Sequence, residues 1–97
     1  MAHKKMSEKT YHINDKFIYK RIGNTIYVLD EETENDILFE FDNEGFHLMR
    51  CMLSMKSFSY PELRNKLLTQ LNFEFIDEAV LREFLNELAL NGILNDK

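Results

Sequence analysis

His47 and Cys51 are the two side chains in this 97-residue sequence whose types and spacing come nearest to a chemical site. Four residues apart, they share one face of a helix, where an imidazole and a thiolate can hold a soft metal ion or form an activated nucleophile. Two ligands do not complete a metal site. The other histidines, His3 and His12, fall in the N-terminal stretch. Cys51 lies between apolar neighbours, where a free thiol behaves as a small hydrophobe. The 17 Asp and Glu residues read as solvated surface, with no pair set apart for acid–base work. The sequence has no glycine-rich phosphate loop and no CxxC, HExxH or GxSxG motif. The expectation is a protein that is not an enzyme and uses no metal or cofactor.

Composition bounds the remaining classes. The length suits one domain, and 44% hydrophobic residues suffice for a compact core. A net charge of −5 and a pI near 5.1 disfavour nucleic acid or an anionic membrane as partner. No apolar run approaches the ~20 residues of a membrane span, and Met1 to Lys9 has no signal-peptide core. One cysteine excludes an internal disulfide and fits a reducing compartment, so the cytoplasm is the expected location.

Residues 1–12 show no periodicity and are expected to form a flexible arm ahead of a domain spanning 13–97. Phe17–Ile22 and Thr25–Leu29 are rich in aromatic and β-branched residues, and Gly23-Asn24 between them suits a type I′ or II′ hairpin turn. "DEETEND", Asp30 to Asp36, reads as a solvated turn, with a docking loop for a basic partner as the sharper alternative. Ile37-Leu38-Phe39-Glu40-Phe41 then makes a third strand of a meander. By period two, Ile37, Phe39 and Phe41 share one face and are expected to look toward the helices, with Leu38 and Glu40 on the other.

Asp42 or Asn43 is the expected cap of a first helix carrying Phe46, Met49 and Leu53, widened by Leu48, Met52 and Met55. Ser59 opens a second helix with Glu62 three residues on, a capping-box pattern, and Pro61 in the first turn. Tyr60, Leu63, Leu67 and Leu71 lie near its apolar face. Asp77 is the expected cap of a third helix with Val80, Leu81, Phe84, Leu85 and Leu88 as its stripe. Asn91-Gly92 ends it, and Ile93 and Leu94 are expected to pack back. The fold class expected is α+β and winged helix-turn-helix-like: a three-stranded antiparallel sheet followed by three helices.

A winged helix raises DNA binding, and charge decides against it. The helix that would enter the major groove carries Asp77, Glu78, Glu83 and Glu87 against Arg82 alone, and the would-be wing turn is acidic.

The strand hairpin, the apolar third strand, the junction "FDNEGFHLM" with Asn43, and the terminal "FLNELALNGIL" together resemble the PqqD-like family, the recognition elements for ribosomally made precursor peptides. Phe84-Leu85, Leu88 and Gly92-Ile93-Leu94 match the pattern of that family's last helix, over a resemblance covering roughly residues 15–95. Asp42 stands where the family usually has Leu, and "MKSFS" lacks the frequent Gly after the first helix. The resemblance implies a stand-alone, non-catalytic domain. It would bind the leader segment of a precursor peptide and present it to a modifying enzyme such as a radical SAM protein, a cyclodehydratase, a dehydratase or a leader peptidase. It also implies that the leader adds as a strand beside the third strand, in a groove shared with the third helix, a case of β-augmentation. On this sequence the implied contact residues are Ile37, Leu38, Phe39, Glu40, Phe41, Glu78, Leu81, Arg82 and Leu85, with Leu88 completing the apolar wall.

Two other readings are compatible with the sequence. One is a winged-helix transcription regulator or generic protein-interaction domain. Another is a small thiol- or metal-dependent enzyme using His47 and Cys51. Monomer and strand-exchanged dimer are both compatible with an open strand edge.

Overall fold

In the computed structural model, which describes residues 9–32, 36–70 and 77–96, β-branched and aromatic runs become strands and the 3.6-period stripes become helices. The chain order is β1 (Thr10–Ile13), β2 (Phe17–Ile22), β3 (Thr25–Asp30), β4 (Ile37–Phe41), α1 (Asn43–Met55), β5 (Ser57–Ser59), α2 (Tyr60–Gln70), α3 (Glu78–Leu90) and β6 (Leu94–Asp96). The class is α+β, as expected, but the strands form two small antiparallel sheets rather than one. One sheet has the order β2-β3-β4, the meander read from the sequence, and the other has the order β5-β1-β6.

The second sheet corrects the expected arm. Thr10, Tyr11 and His12 are strand residues, with Tyr11 opposite Phe58 on one side and Asp96 on the other. Tyr11 is buried and its ring stacks on Phe58 with centroids 5.7 Å apart. Four residues with so short an alternation carry little local signal. Their partners lie far along the chain, His12 meeting Ser57 across 45 residues. Residues 1–8 of the arm lie outside the described residues.

Local chemistry explains the joints. Ile22 pairs with Thr25 across a two-residue turn, and Gly23 takes a φ of +62° while Asn24 stays negative, the pattern of a type II′ turn. Ser59 and Glu62 form the capping box: the Ser59 N–H donates to Glu62 Oε1 at 2.8 Å and the Glu62 N–H to Ser59 Oγ at 3.3 Å. Asp77 accepts from the Ala79 and Val80 N–H groups at 3.0 and 3.3 Å. Gly92, with φ +80°, closes α3 in a Schellman motif: Ile93 N–H donates to the Leu88 carbonyl and Gly92 N–H to that of Ala89. Ile93 and Leu94 pack back into the core as expected.

The first-helix cap departs from expectation. Asp42 holds the N-cap position, but its carboxylate makes no capping bond; its backbone carbonyl takes the Phe46 N–H instead. Asn43 adopts a φ of +52°, which Asn tolerates better than most residues, so the chain turns from strand into helix at Asn43 itself.

One core joins both sheets and all three helices. Ile26 and Val28 of β3, Phe46, Met49 and Met52 of α1, Leu63 and Leu67 of α2, Leu81, Leu85 and Leu88 of α3, and Tyr11 and Phe58 of the small sheet belong to a single buried cluster. Leu71 lies outside the described residues. Asn14 links the layers after β1. Its N–H and side-chain amide donate to the carbonyls of Ile93 and Gly92 at 2.9 and 2.8 Å, and its carbonyl accepts from the Tyr19 hydroxyl at 2.7 Å.

Tyr11→Ala is expected to lower the unfolding free energy by on the order of 3 kcal/mol, because it empties a buried aromatic site. Urea denaturation measures this. A loss below about 0.5 kcal/mol, typical of a surface residue, would put Thr10–Ile13 back in an arm.

Candidate functional site

The larger sheet has two edges, β2 with exposed Ile22 and β4 with exposed Ile37 and Leu38, and β4 is the one that meets α3. β4 pairs with β3. Among the described residues no strand pairs with its other edge, the arrangement that accepts an added strand. Ile37 and Leu38 at its start are 53% and 42% exposed, Glu40 is exposed, and Phe39 and Phe41 are half-buried against the core.

A shift of register between Val28 and Leu29 corrects the expected period-two face. Phe41 lies opposite Ile26 and Phe39 opposite Val28, so both look inward toward α1. Ile37 lies opposite Leu29 instead of one residue further along. The extra residue, Leu38, carries Ile37 to the outer face of the sheet. There Ile18, Leu29 and Ile37 form an apolar row across three strands, beside a second row of Lys20, Tyr27 and Glu40.

β4 meets α3 through aromatic rings. Phe41 and Phe84 pack edge to face with centroids 6.0 Å apart. Phe41 also lies over Gly45, where an added methyl would sit 3.6 Å from its ring, an ordinary van der Waals contact. One turn before Phe84, Val80 is 58% exposed. Val80 and Phe84, four residues apart, thus make the outward apolar line of α3.

Leu81 and Leu85, expected as the wall of a groove, are core residues, 3% and 0% exposed; Leu88 is buried with them. The cause is helical phase. The 81–85–88 line faces the cluster, whereas Phe84 meets β4 and Val80 is exposed. The sequence stripe contained both lines, and their separation was visible only as Glu83 and Glu87 beside Phe84. Glu78 and Arg82 are both exposed and pair at 2.9 Å. The Arg82 guanidinium also lies over the Tyr60 ring, 3.9 Å from its centroid, so this cation is already engaged. The Tyr60 hydroxyl is buried with no hydrogen-bond partner; burial raises its phenol pKa, and Glu78 adds to the rise.

The structure does not build a site around His47 and Cys51. His47 is exposed, its ring packed edge-on against Phe46 at 5.2 Å, whereas Cys51 is buried. Burial pushes the Cys51 thiol pKa up, with Lys66 pulling weakly the other way, which disfavours the thiolate that metal binding or nucleophilic attack requires. Among the described residues no group of three or more His, Cys, Asp or Glu side chains is placed to hold a metal ion. No helix among them is long and apolar enough to cross a membrane.

A concavity of about 370 Å³ lies between the two sheets, lined by His12, Phe17, Tyr19, Leu53, Lys56 and Ser57 among others. His12 Nδ1 and Ser57 Oγ are 2.8 Å apart there, a base–hydroxyl pair in form. Among the described residues no carboxylate hydrogen-bonds His12 to orient its ring, so the pair lacks the third member of a triad. The two residues are neighbours because β1 and β5 pair, which accounts for their contact. Comparison of the chain with protein-family models, curated proteins and solved structures returned no match.

Tyr19, on the rim of this concavity, has its pKa pushed up from 10.0 to about 12, first by burial and then by the charge of Asp15. Between those values the unfolded chain has released a proton that the folded protein keeps, so stability present below pH 10 is lost as the pH rises toward 12. Tyr19→Phe cannot ionise. The stability advantage of the wild type over this variant is therefore expected to shrink across that window, measured by urea unfolding at stepped pH. A gap that stays constant would mean that Tyr19 does not titrate late.

Proposed function

We propose that this protein is a non-catalytic peptide-binding module. It captures the leader segment of a ribosomally synthesised precursor peptide by strand addition at β4 and presents it to a modifying enzyme. The observation that carries the proposal is an edge strand with exposed apolar side chains, Ile37 and Leu38, coupled through Phe41 and Phe84 to a helix with an exposed Val80. Main-chain hydrogen bonds supply affinity in such a mode, and the side chains on either flank supply selection. The PqqD-like pattern of the sequence points the same way. It leaves the modifying enzyme open among radical SAM proteins, cyclodehydratases, dehydratases and leader peptidases.

The contact set differs from the one the sequence implied. Ile37, Leu38, Phe39, Glu40 and Phe41 stay in it, Val80 and Phe84 replace Leu81 and Leu85, and the Glu78–Arg82 pair forms part of the rim.

A winged-helix reading is favoured by one observation. α1, β5, α2, α3 and β6 follow in the helix–strand–helix–helix–strand order of that architecture, with β1 completing the small sheet. As a DNA-binding device it is opposed by α3, whose exposed Glu78, Glu83 and Glu87 would face phosphates with Arg82 already paired. Filter binding to genomic DNA at low salt separates the two uses of the fold.

Titration of the ¹⁵N-labelled protein with leader segments of precursor peptides encoded beside its gene is expected to shift the amides of Ile37–Phe41 and Val80–Phe84. Ile37→Asp alters a half-exposed residue and is expected to leave the fold intact. It removes an anchor worth roughly 1.5 kcal/mol, weakening binding about tenfold. Unchanged affinity, or shifts confined to other segments, would dismiss β4 as the site.

A further inference from the structure

Charge in this protein is segregated along the chain. Residues 30–49 and 77–90, the segments that contain β4 and α3, hold 12 of the 17 acidic side chains and one of the 12 Lys and Arg residues, a net −11. The rest of the chain is therefore +6, with 11 basic and five acidic side chains. The single cation of the acidic part, Arg82, is held by Glu78 at 2.9 Å and lies over Tyr60. Around the free edge itself Asp36, Glu40 and Asp42 are exposed, and on α3 Glu83 and Glu87 are exposed on the side of half-buried Phe84 away from the core line of Leu81, Leu85 and Leu88.

We infer that the segment taken up at β4 is a basic one: an extended peptide with apolar residues on its inner face and Lys or Arg at the outer-face position opposite Glu40. The inference rests on β4 being the binding edge. Register makes it specific. Glu40 lies on the outer face, paired with Tyr27, while Phe39 and Phe41 look inward. A strand added beside β4 continues those faces, so its residue opposite Glu40 meets a carboxylate and its residues opposite Phe39 and Phe41 meet aromatic rings. A cation satisfies the first position, and an acidic residue there is repelled. The same argument disfavours a second copy of this chain as the occupant, because β4 against β4 would bring Asp36, Glu40 and Asp42 of both copies together.

The test is a display selection of random twelve-residue peptides on the immobilised full-length protein, repeated on a Glu40→Lys/Glu83→Lys variant. Both substituted positions are exposed, so the variant is expected to fold, and circular dichroism checks this. Enriched peptides are then synthesised and mapped by amide shifts. On the wild type, peptides that shift Ile37–Phe41 are expected to be enriched in Lys and Arg and to lose roughly tenfold in affinity on the double variant, a few exposed charge pairs at two- to fivefold each. Their binding is also expected to weaken as salt rises. Peptides that map to β4 but are neutral or acidic, or that bind the variant equally well, overturn the charge inference and leave strand addition standing. Enriched peptides that map elsewhere, or a selection without enrichment, overturn the binding edge itself.

Discussion

The structure depends on β1 being the middle strand of the small sheet. Tyr11, His12 and Ile13 bond on one side to the segment joining α1 and α2 and on the other to the end of the chain. Asn14 then ties the following turn to the Schellman motif that ends α3, through the carbonyls of Ile93 and Gly92, and to Tyr19 of β2. Chain beginning, middle and end are thereby held at one place, and α3 is fixed relative to the larger sheet. The Phe41–Phe84 contact at the candidate site joins α3 to that sheet. Its geometry is inherited from hydrogen bonds made elsewhere.

The larger sheet shows how a small domain distributes limited apolar surface. Its inner face gives Ile26 and Val28 to the core, and its outer face keeps an apolar row in which Leu29 is nearly buried while Ile37 is half exposed. A bulge at Leu38 moves Ile37 from the first face to the second. It also twists the start of the edge strand, a device that commonly re-aims side chains at sheet borders. Leaving β4 uncovered is a liability unless something pairs with it, and its charged flanks then serve two ends. They deter pairing between copies, and in the proposed role they favour a partner of opposite sign.

Much of the local architecture was legible in the residues. Ser59 with Glu62, Asp77 and Gly92 each carry a side-chain or backbone mechanism confined to a few neighbours, and each did what its type predicts. The hairpin turn at Gly23 belongs to the same group. The candidate edge, Ile37–Phe41, was legible as a strand that a short chain has little material to cover. Which side of α3 accompanies it was not. Leu81 and Leu85 differ from Val80 and Phe84 by one residue of helical phase, a rotation that the rest of the core decides. The face of Ile37 was likewise set by a one-residue register shift, which pairing with β3 determines.

The sequence by itself determined the α+β class, the caps of α2 and α3, the turns at Gly23 and Gly92 and the segregation of charge, because these follow from residue type and nearest neighbours along the chain. Only the tertiary structure decided that Thr10–Ile13 is a strand, that there are two sheets, that Leu81 and Leu85 are core, and that Ile37 faces outward. Each of those depends on partners in other elements, whose pairing is selected by the joint burial of one core rather than by any local preference.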